Sequence, residues 1–171
     1  MGVMLYSKGF LHNGSHYMDL LVDWLGTPTA FRVLERGPEG TLAGPEPDVW
    51  FEFPGGCRIA ALSGREHCFS VMELDLVGTA GRLRYTDLGN VIEMWDVAED
   101  PMFAGYNILR RVTAPTQPDM ARYQLYVVDA LYRHLGHGEP IASTGDTALE
   151  VLRICNAVAA GIDCRDIQYI R

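Results

Sequence analysis

Residues 72–97 read MELDLVGTAGRLRYTDLGNVIEMWDV, and this stretch decides the fold class. Three runs of alternating polar and apolar residues are separated by two turn sequences, Gly78–Gly81 and Asp87–Asn90. Such alternation is typical of β-strands, and Gly, Asn and Asp supply the backbone conformations that tight turns require. Strands that follow one another through short turns form an antiparallel meander.

The strand pattern extends outward from this stretch, and helical patterns flank it. We predict strands over residues 3–7, 29–35, 48–53, 57–63, 68–77, 81–87, 91–97 and 105–112, with a surface loop over 37–47. Helices are predicted over 15–25, 119–136 and 145–160, with Ser15 as the N-cap of the first and Gly26 as its stop. Since helices and strands are segregated along the chain, we predict an α+β fold: a large, mostly antiparallel β-sheet with helices packed on one face.

Several predicted strands carry apolar residues on both faces. In the strand over 91–97, Val91 and Trp95 alternate with Ile92 and Met94. Helices can cover only one face, so an apolar second face is expected to pack against another subunit. We therefore expect a homo-oligomer formed through the open sheet face, with Trp95 on that face.

The composition limits the class of protein. The chain has 171 residues, a net charge of −8 and 48% hydrophobic residues, which is typical of one globular domain spanning 1–171. An acidic chain repels phosphate backbones, so we expect no nucleic-acid partner. We expect no signal sequence, and no apolar run reaches membrane-spanning length. The four cysteines have no metal-site spacing, and we expect free thiols in a cytoplasmic protein.

The first predicted helix carries one polar stripe. His16, Asp19 and Asp23 recur at i, i+3 and i+7 on a helix that is otherwise apolar. A polar stripe on a buried helix indicates a functional site, and a neutral histidine at a helix start suits general acid–base work. The alternative is a solvated stripe in which Ser15 and His16 only cap the helix.

Two further residues are candidates for substrate binding. Arg122 and Tyr123 begin the second predicted helix and could reach a sugar or a subunit interface; the alternative is an ordinary surface helix start. The sequence contains no G-x-G-x-x-G, no phosphate-binding loop and no metal-ligand cluster. We therefore predict no cofactor-binding residues of the dinucleotide type and no metal ligands in this chain.

Three segments resemble one family of enzymes. GFLHNGSHYMDLL (9–21) resembles the G-x-x-x-x-G-x-H-x-x-D-L-L segment of Gfo/Idh/MocA oxidoreductases. MELDLVGTAGRL (72–83) resembles that family's G-T-x-G-x-L strand–turn–strand, and TGDTALEVL (144–152) resembles its last helix. The matches run in order over residues 3 to 161. They look most like the branch that acts on sugars or sugar nucleotides in surface-polysaccharide assembly.

The resemblance implies the fold and role of the family's C-terminal domain, which binds substrate and forms oligomers. It implies that His16 is the acid–base for the substrate hydroxyl proton and that Asp19 is the acidic residue one turn later. His12 and Asn13, in the same motif, are implied to contact substrate, although many members carry Asp at the position of His12.

The family's Rossmann domain, with the Lys of its E-K-P motif, would precede residue 3. NAD(P) is therefore expected in full-length relatives but not on this chain alone. We expect a fragment or truncated homologue of a sugar oxidoreductase that is inactive by itself.

Two other functions remain open. One is a cofactor-independent isomerase, epimerase or lyase that uses His16 on a sugar. The other is a non-catalytic assembly subunit that docks on a partner carrying the Rossmann domain.

Overall fold

The computed structural model describes residues 1–37, 44–112 and 118–165, which fold into one eight-stranded sheet and three helices. The strands are β1 (Gly2–Tyr6), β2 (Ala30–Glu35), β3 (Asp48–Glu52), β4 (Arg58–Ser63), β5 (Met72–Val77), β6 (Gly81–Thr86), β7 (Val91–Glu99) and β8 (Asn107–Arg111). The helices are α1 (Ser15–Leu25), α2 (Tyr123–His137) and α3 (Gly145–Ala159). The predicted α+β class is confirmed.

The fifth strand begins at Met72 rather than Cys68, because residues 65–68 form a turn closed by a hydrogen bond from the Cys68 amide to the Arg65 carbonyl (2.9 Å).

The strand order is β2-β3-β4-β1-β5-β6-β7-β8. Neighbouring strands are antiparallel except β1 and β4, which are parallel. The predicted meander is therefore correct within β2–β4 and within β5–β8. It is wrong between β4 and β5, where the first strand of the chain is inserted.

Helices α1 and α3 pack together on one face of the sheet and enclose the core. Fully buried residues from both layers meet there, among them Met4, Tyr6, Met18, Leu21, Phe51, Ile59, Ile154 and Val158. The edge-on contact of Tyr17 with Tyr85 (5.9 Å between ring centroids) brings α1 against β6. The strand register consequently places Trp95 on the face opposite these helices.

The open face combines a charged network with an apolar patch. Arg82 and Arg111 lie over the Trp95 ring at 5.3 and 5.8 Å from its centroid, and they form ion pairs with Asp75 and Glu93. Strand register places a patch of apolar side chains on the same face, formed by Val3, Leu5, Trp50, Ala60 and Leu62. The face is therefore less apolar than the sequence pattern predicts.

Helix α2 has no buried side chain. Its most exposed apolar residues form one stripe, with Val128 62%, Tyr132 67% and Leu135 82% exposed. The prediction that all helices pack on the sheet is wrong for α2, since the described residues leave it uncovered. No helix in the described ranges is long and apolar enough to cross a membrane.

The chain passes from β1 into a π-helical segment over Gly9–Gly14 that continues directly into α1. Lys8 takes the left-handed backbone conformation (φ 66°) at its start. A side chain at Gly14 would meet the Phe10 ring at 2.9 Å, so the tight turn requires glycine there. Such π-helical turns occur frequently at functional sites.

The continuous helical segment corrects two predictions. Ser15 does not cap α1, because its hydroxyl donates to the His12 carbonyl (2.6 Å). His16 lies inside the continuous helical segment, so the predicted position at a free helix N-terminus is wrong.

Glu46 fixes the start of this segment. Its side chain is 1% exposed, and one carboxylate oxygen accepts the backbone amides of Lys8 (2.7 Å) and Gly9 (3.4 Å). The other oxygen accepts the Glu66 amide at 2.9 Å. The predicted surface loop over 37–47 lies partly outside the described residues, but its end, containing Glu46, is buried.

Exchange of backbone amide hydrogens should separate α2 from α3, which has the same length of 15 residues. An isolated helix of this length is marginal in water, whereas α3 buries five side chains. We expect α2 amides in the purified chain to exchange at least tenfold faster, a difference of about 1.4 kcal/mol in opening free energy. Equal protection of the two helices would contradict the exposed position of α2.

Replacing Glu46 with Ala should destabilise the fold by about 3 kcal/mol, because one buried and two part-buried backbone amides lose a charged acceptor. Glu46→Gln should cost less, since one amide oxygen still accepts from Lys8 and Gly9. Urea unfolding measures both. Glu52→Gln, an exposed glutamate, is the matched control, and a Glu46→Ala midpoint equal to that control would refute the role of Glu46.

Candidate functional site

A cleft of about 560 Å³ opens between α1, β6 and the start of α3. It is lined by the predicted polar stripe, His16, Asp19 and Asp23, because residues at this spacing share one helix face. Across from the stripe it is completed by polar side chains from the other two elements, Tyr85, Ser143 and Thr147. A cleft of this size with a few convergent polar groups is typical of a small-molecule site.

A second cleft of about 340 Å³ adjoins the first. His16, Asp19 and Ser143 line both clefts, so the imidazole and one carboxylate stand where the two meet. The second cleft is otherwise mostly apolar, with Leu11, Ala148, Val151 and Leu152 in its wall. A ligand lying across both would therefore meet polar groups at its centre and apolar surface at one end.

Tyr17 of α1 packs edge-on against Tyr85 of β6, and Tyr85 lines the main cleft. Burial raises the pKa of the Tyr17 phenol well above its usual value, and burial also raises the pKa of Tyr85. Both are therefore neutral hydroxyls at physiological pH. The Tyr17 hydroxyl is buried and has no hydrogen-bond partner within the described part of the chain. The Tyr85 hydroxyl lies against Gly89, where any side chain would occupy its position.

The other predicted site residues lie apart from the clefts. His12 is exposed with its ring 6.0 Å from that of His16, and Asn13 is half-buried on the π-helical turn. Arg122 forms an exposed ion pair with Asp119 (3.6 Å), and the exposed Tyr123 hydroxyl accepts a hydrogen bond from Gln124 (3.1 Å). None of these four predicted residues lines either cleft.

Sequence reasoning missed the residues that complete the main cleft from outside α1. Ser143 and Thr147 carry the signature of a helix cap, and Thr144 and Thr147 do form a capping box at the start of α3. Tyr85 carries only the alternating strand pattern, which places it on the helix-covered face. Nothing local in the sequence predicts that these elements meet α1.

The turn leading into α1 does not offer a pyrophosphate the free helix-start amides of the dinucleotide arrangement. In the strand–turn–helix arrangement, a pyrophosphate binds the free amides at the helix start. Here the amides of Lys8 and Gly9 are taken by the Glu46 carboxylate, and the Phe10 amide donates to the Pro45 carbonyl (3.0 Å). An internal anion thus occupies the position that a phosphate would need.

The described residues also form no metal-binding cluster. No group of three or more His, Cys, Asp or Glu side chains within the described ranges is arranged to hold a metal ion.

No family model matches the sequence, and no curated protein matches it. Solved structures do resemble the fold. One is described as an NADPH-dependent oxidoreductase from Desulfitobacterium hafniense (TM-score 0.72, 16% identity, 99% of this chain and 57% of that one). Another is UDP-N-acetylglucosamine 3-dehydrogenase from Acidithiobacillus ferrooxidans (TM-score 0.67, 11% identity, 99% and 55%). A third is levoglucosan dehydrogenase in complex with NADH (TM-score 0.69, 13% identity, 95% and 57%).

At these identities the likeness shows a shared fold. The chain spans a little over half the length of the solved structures it matches. It therefore has the fold of one part of NAD(P)-dependent oxidoreductases and sugar dehydrogenases.

Proposed function

We propose that this chain is the substrate-binding and oligomerising domain of an NAD(P)-dependent sugar or sugar-nucleotide oxidoreductase of the Gfo/Idh/MocA type, working in cytoplasmic carbohydrate metabolism. It binds the sugar and works with a nucleotide-binding domain outside the described residues. The observation that carries the proposal is the cleft lined by His16, Asp19 and Asp23 on a fold shared with sugar dehydrogenases.

The chemistry of the cleft suits a polyol. Carboxylates accept hydrogen bonds from hydroxyl groups, while the Ser143 hydroxyl can both donate and accept. His16 lies where two clefts meet and takes the proton of the substrate hydroxyl as the carbon is oxidised. Asp19, one turn later on the same face, orients the sugar beside the imidazole.

The hydride acceptor is held by a nucleotide-binding domain. The amides at the start of the segment leading into α1 are taken by Glu46 and Pro45, which supports this assignment. The exposed apolar stripe of α2 supports the proposal that a further domain packs against this helix. Soluble proteins rarely leave a contiguous apolar stripe of this kind uncovered. The matched oxidoreductases are longer by a little under half of their length. A nucleotide-binding domain that covers α2 accounts for both observations.

The open sheet face supports self-association. Asp75 and Glu93 already form ion pairs with the arginines around Trp95, so two copies can meet over this network without stranding its charges. Apolar surface for the contact comes from Trp95, which lies between Arg82 and Arg111, and from the patch around Leu5 and Trp50. Tryptophan and arginine are the residues most enriched at the energetic centres of interfaces.

Titration of the purified chain with levoglucosan and with NADH tests the proposal. We expect the sugar to shift the NMR signals of His16 and NADH to give no saturable binding. His16→Ala and Asp19→Asn should each weaken sugar binding about tenfold, which corresponds to the loss of one charged hydrogen bond. Asp96→Asn, an exposed carboxylate on β7, is the control and should leave the affinity unchanged.

Other outcomes distinguish the alternatives. Saturable micromolar NADH binding would contradict the proposal, because the proposal assigns the dinucleotide to a nucleotide-binding domain. Turnover of a sugar without added NAD(P) would favour an isomerase or lyase that uses His16. Absence of sugar binding, together with tight association with a nucleotide-binding protein through α2, would favour a non-catalytic assembly subunit.

Trp95→Lys should dissociate the oligomer, because it places a third cation between Arg82 and Arg111 on the open face. Sedimentation velocity should show a fall in the sedimentation coefficient at fixed protein concentration. Trp24→Lys is the matched control, since Trp24 is exposed on α1, away from that face. An unchanged profile for Trp95→Lys would exclude the open face as the interface.

A further inference from the structure

We propose that the main cleft selects neutral or amine-bearing polyols and rejects ligands that place a phosphate inside it. This inference rests on the proposed function and narrows its substrate class. A nucleotide-linked sugar would bind here only with its diphosphate outside the cleft.

The charges lining the cleft are of one sign. Asp19 is half-buried and Asp23 is exposed at the same wall, and neither has a cationic partner among the described residues. The remaining polar lining consists of His16 and hydroxyl groups, with no Lys or Arg among the described lining residues. A phosphate placed there would face two carboxylates without a counter-charge.

Helix N-termini, the other usual source of anion binding, are partly occupied around the cleft. At α3, a capping box takes two amides: the Thr144 hydroxyl accepts a hydrogen bond from the Thr147 amide (3.3 Å), and the Thr147 hydroxyl accepts one from the Thr144 amide (2.9 Å). Asp146 adds a carboxylate to the first turn. At the helical segment leading into α1, the first amides are bound to Glu46.

The nearby guanidinium groups are engaged elsewhere. Arg82 and Arg84 of β6 point to the opposite face of the sheet from Tyr85 and pair with Asp75 and Glu93. The net charge of −8 adds a further negative background. Positive charge on this part of the molecule is therefore held on the open face, away from the cleft.

The lining chemistry recognises a different set of ligands. Two carboxylates accept hydrogen bonds and donate none, so they favour hydroxyl and ammonium groups. Hydroxyls of Tyr85 and Ser143 complete the hydrogen bonds of a ring carrying several hydroxyl groups. An amine gains in addition from the attraction of both carboxylates.

Three sugars that differ at one substituent test the inference: glucose, glucosamine and glucose 6-phosphate, with the galactose and mannose series in parallel. Calorimetry at low salt and about pH 7, where the sugar amine is largely protonated and the phosphate is negatively charged, measures the three affinities. In any series that binds, we expect the phosphate form to be at least tenfold weaker than the free sugar. We expect the amine form to be at least as tight as the free sugar.

Two variants test whether the cleft carboxylates cause the weaker binding of the phosphate form. Asp23→Asn should reduce the affinity ratio of free sugar to phosphate at least threefold, and raising the salt concentration should reduce it in the parent chain. Asp96→Asn should leave the ratio unchanged, and circular dichroism checks that each variant is folded. An unchanged ratio in Asp23→Asn would overturn the role of the cleft carboxylates.

The same measurements distinguish failure of this inference from failure of the proposed function. Equal or tighter binding of the phosphate form would overturn this inference and leave the proposed sugar site standing. Absence of binding by every sugar in all three series would overturn the proposed function and this inference together.

Discussion

The site depends on one buried carboxylate. Glu46 accepts three backbone amides, and this charge-assisted bonding offsets the cost of removing the carboxylate from water. It fixes the left-handed turn at Lys8, from which the π-helical segment and α1 follow without a break. The direction of the His16 stripe over the sheet follows from that turn. The same carboxylate fills the helix-start position, so one interaction both builds the site and removes an anion-binding position.

Polar groups are distributed unequally over the two sides of the sheet. On the open face, arginines and carboxylates alternate across β5–β8 and neutralise one another. In the cleft on the other side, the carboxylates of Asp19 and Asp23 stand without cations. Helix α2 presents apolar surface to water. A face whose charges are paired suits contact with a second copy. A cleft whose carboxylates are unpaired suits a ligand, and an exposed apolar helix suits a neighbouring domain.

Features that depend on neighbouring residues were predicted well from the sequence. Alternation and turn residues around 72–97 define β5–β7, and the spacing of His16, Asp19 and Asp23 places them on one helix face. Both patterns report local backbone geometry, which the chain keeps in any tertiary context.

Features set by distant contacts could not be predicted. Glu46 lies between Pro45 and Pro47, a composition typical of an exposed loop, and its burial depends on amides at residues 8, 9 and 66. Tyr85 and Ser143 reach the cleft only because separate elements pack on α1. The apolar periodicity of α2 indicates that the helix is covered, but it does not distinguish a cover within the chain from one outside it.

The position of β1 has a consequence for folding. The five residues of this strand lie between β4 and β5 and join two antiparallel halves that share no other strand pairing in the described ranges. Residues at the start of the chain thus pair with partners some 60 to 70 positions later, and such long-range closure is slow. The halves β2–β4 and β5–β8 can each form from local hairpins, and insertion of β1 then completes the sheet. The earliest of the eight strands along the chain is therefore the last to find both of its partners.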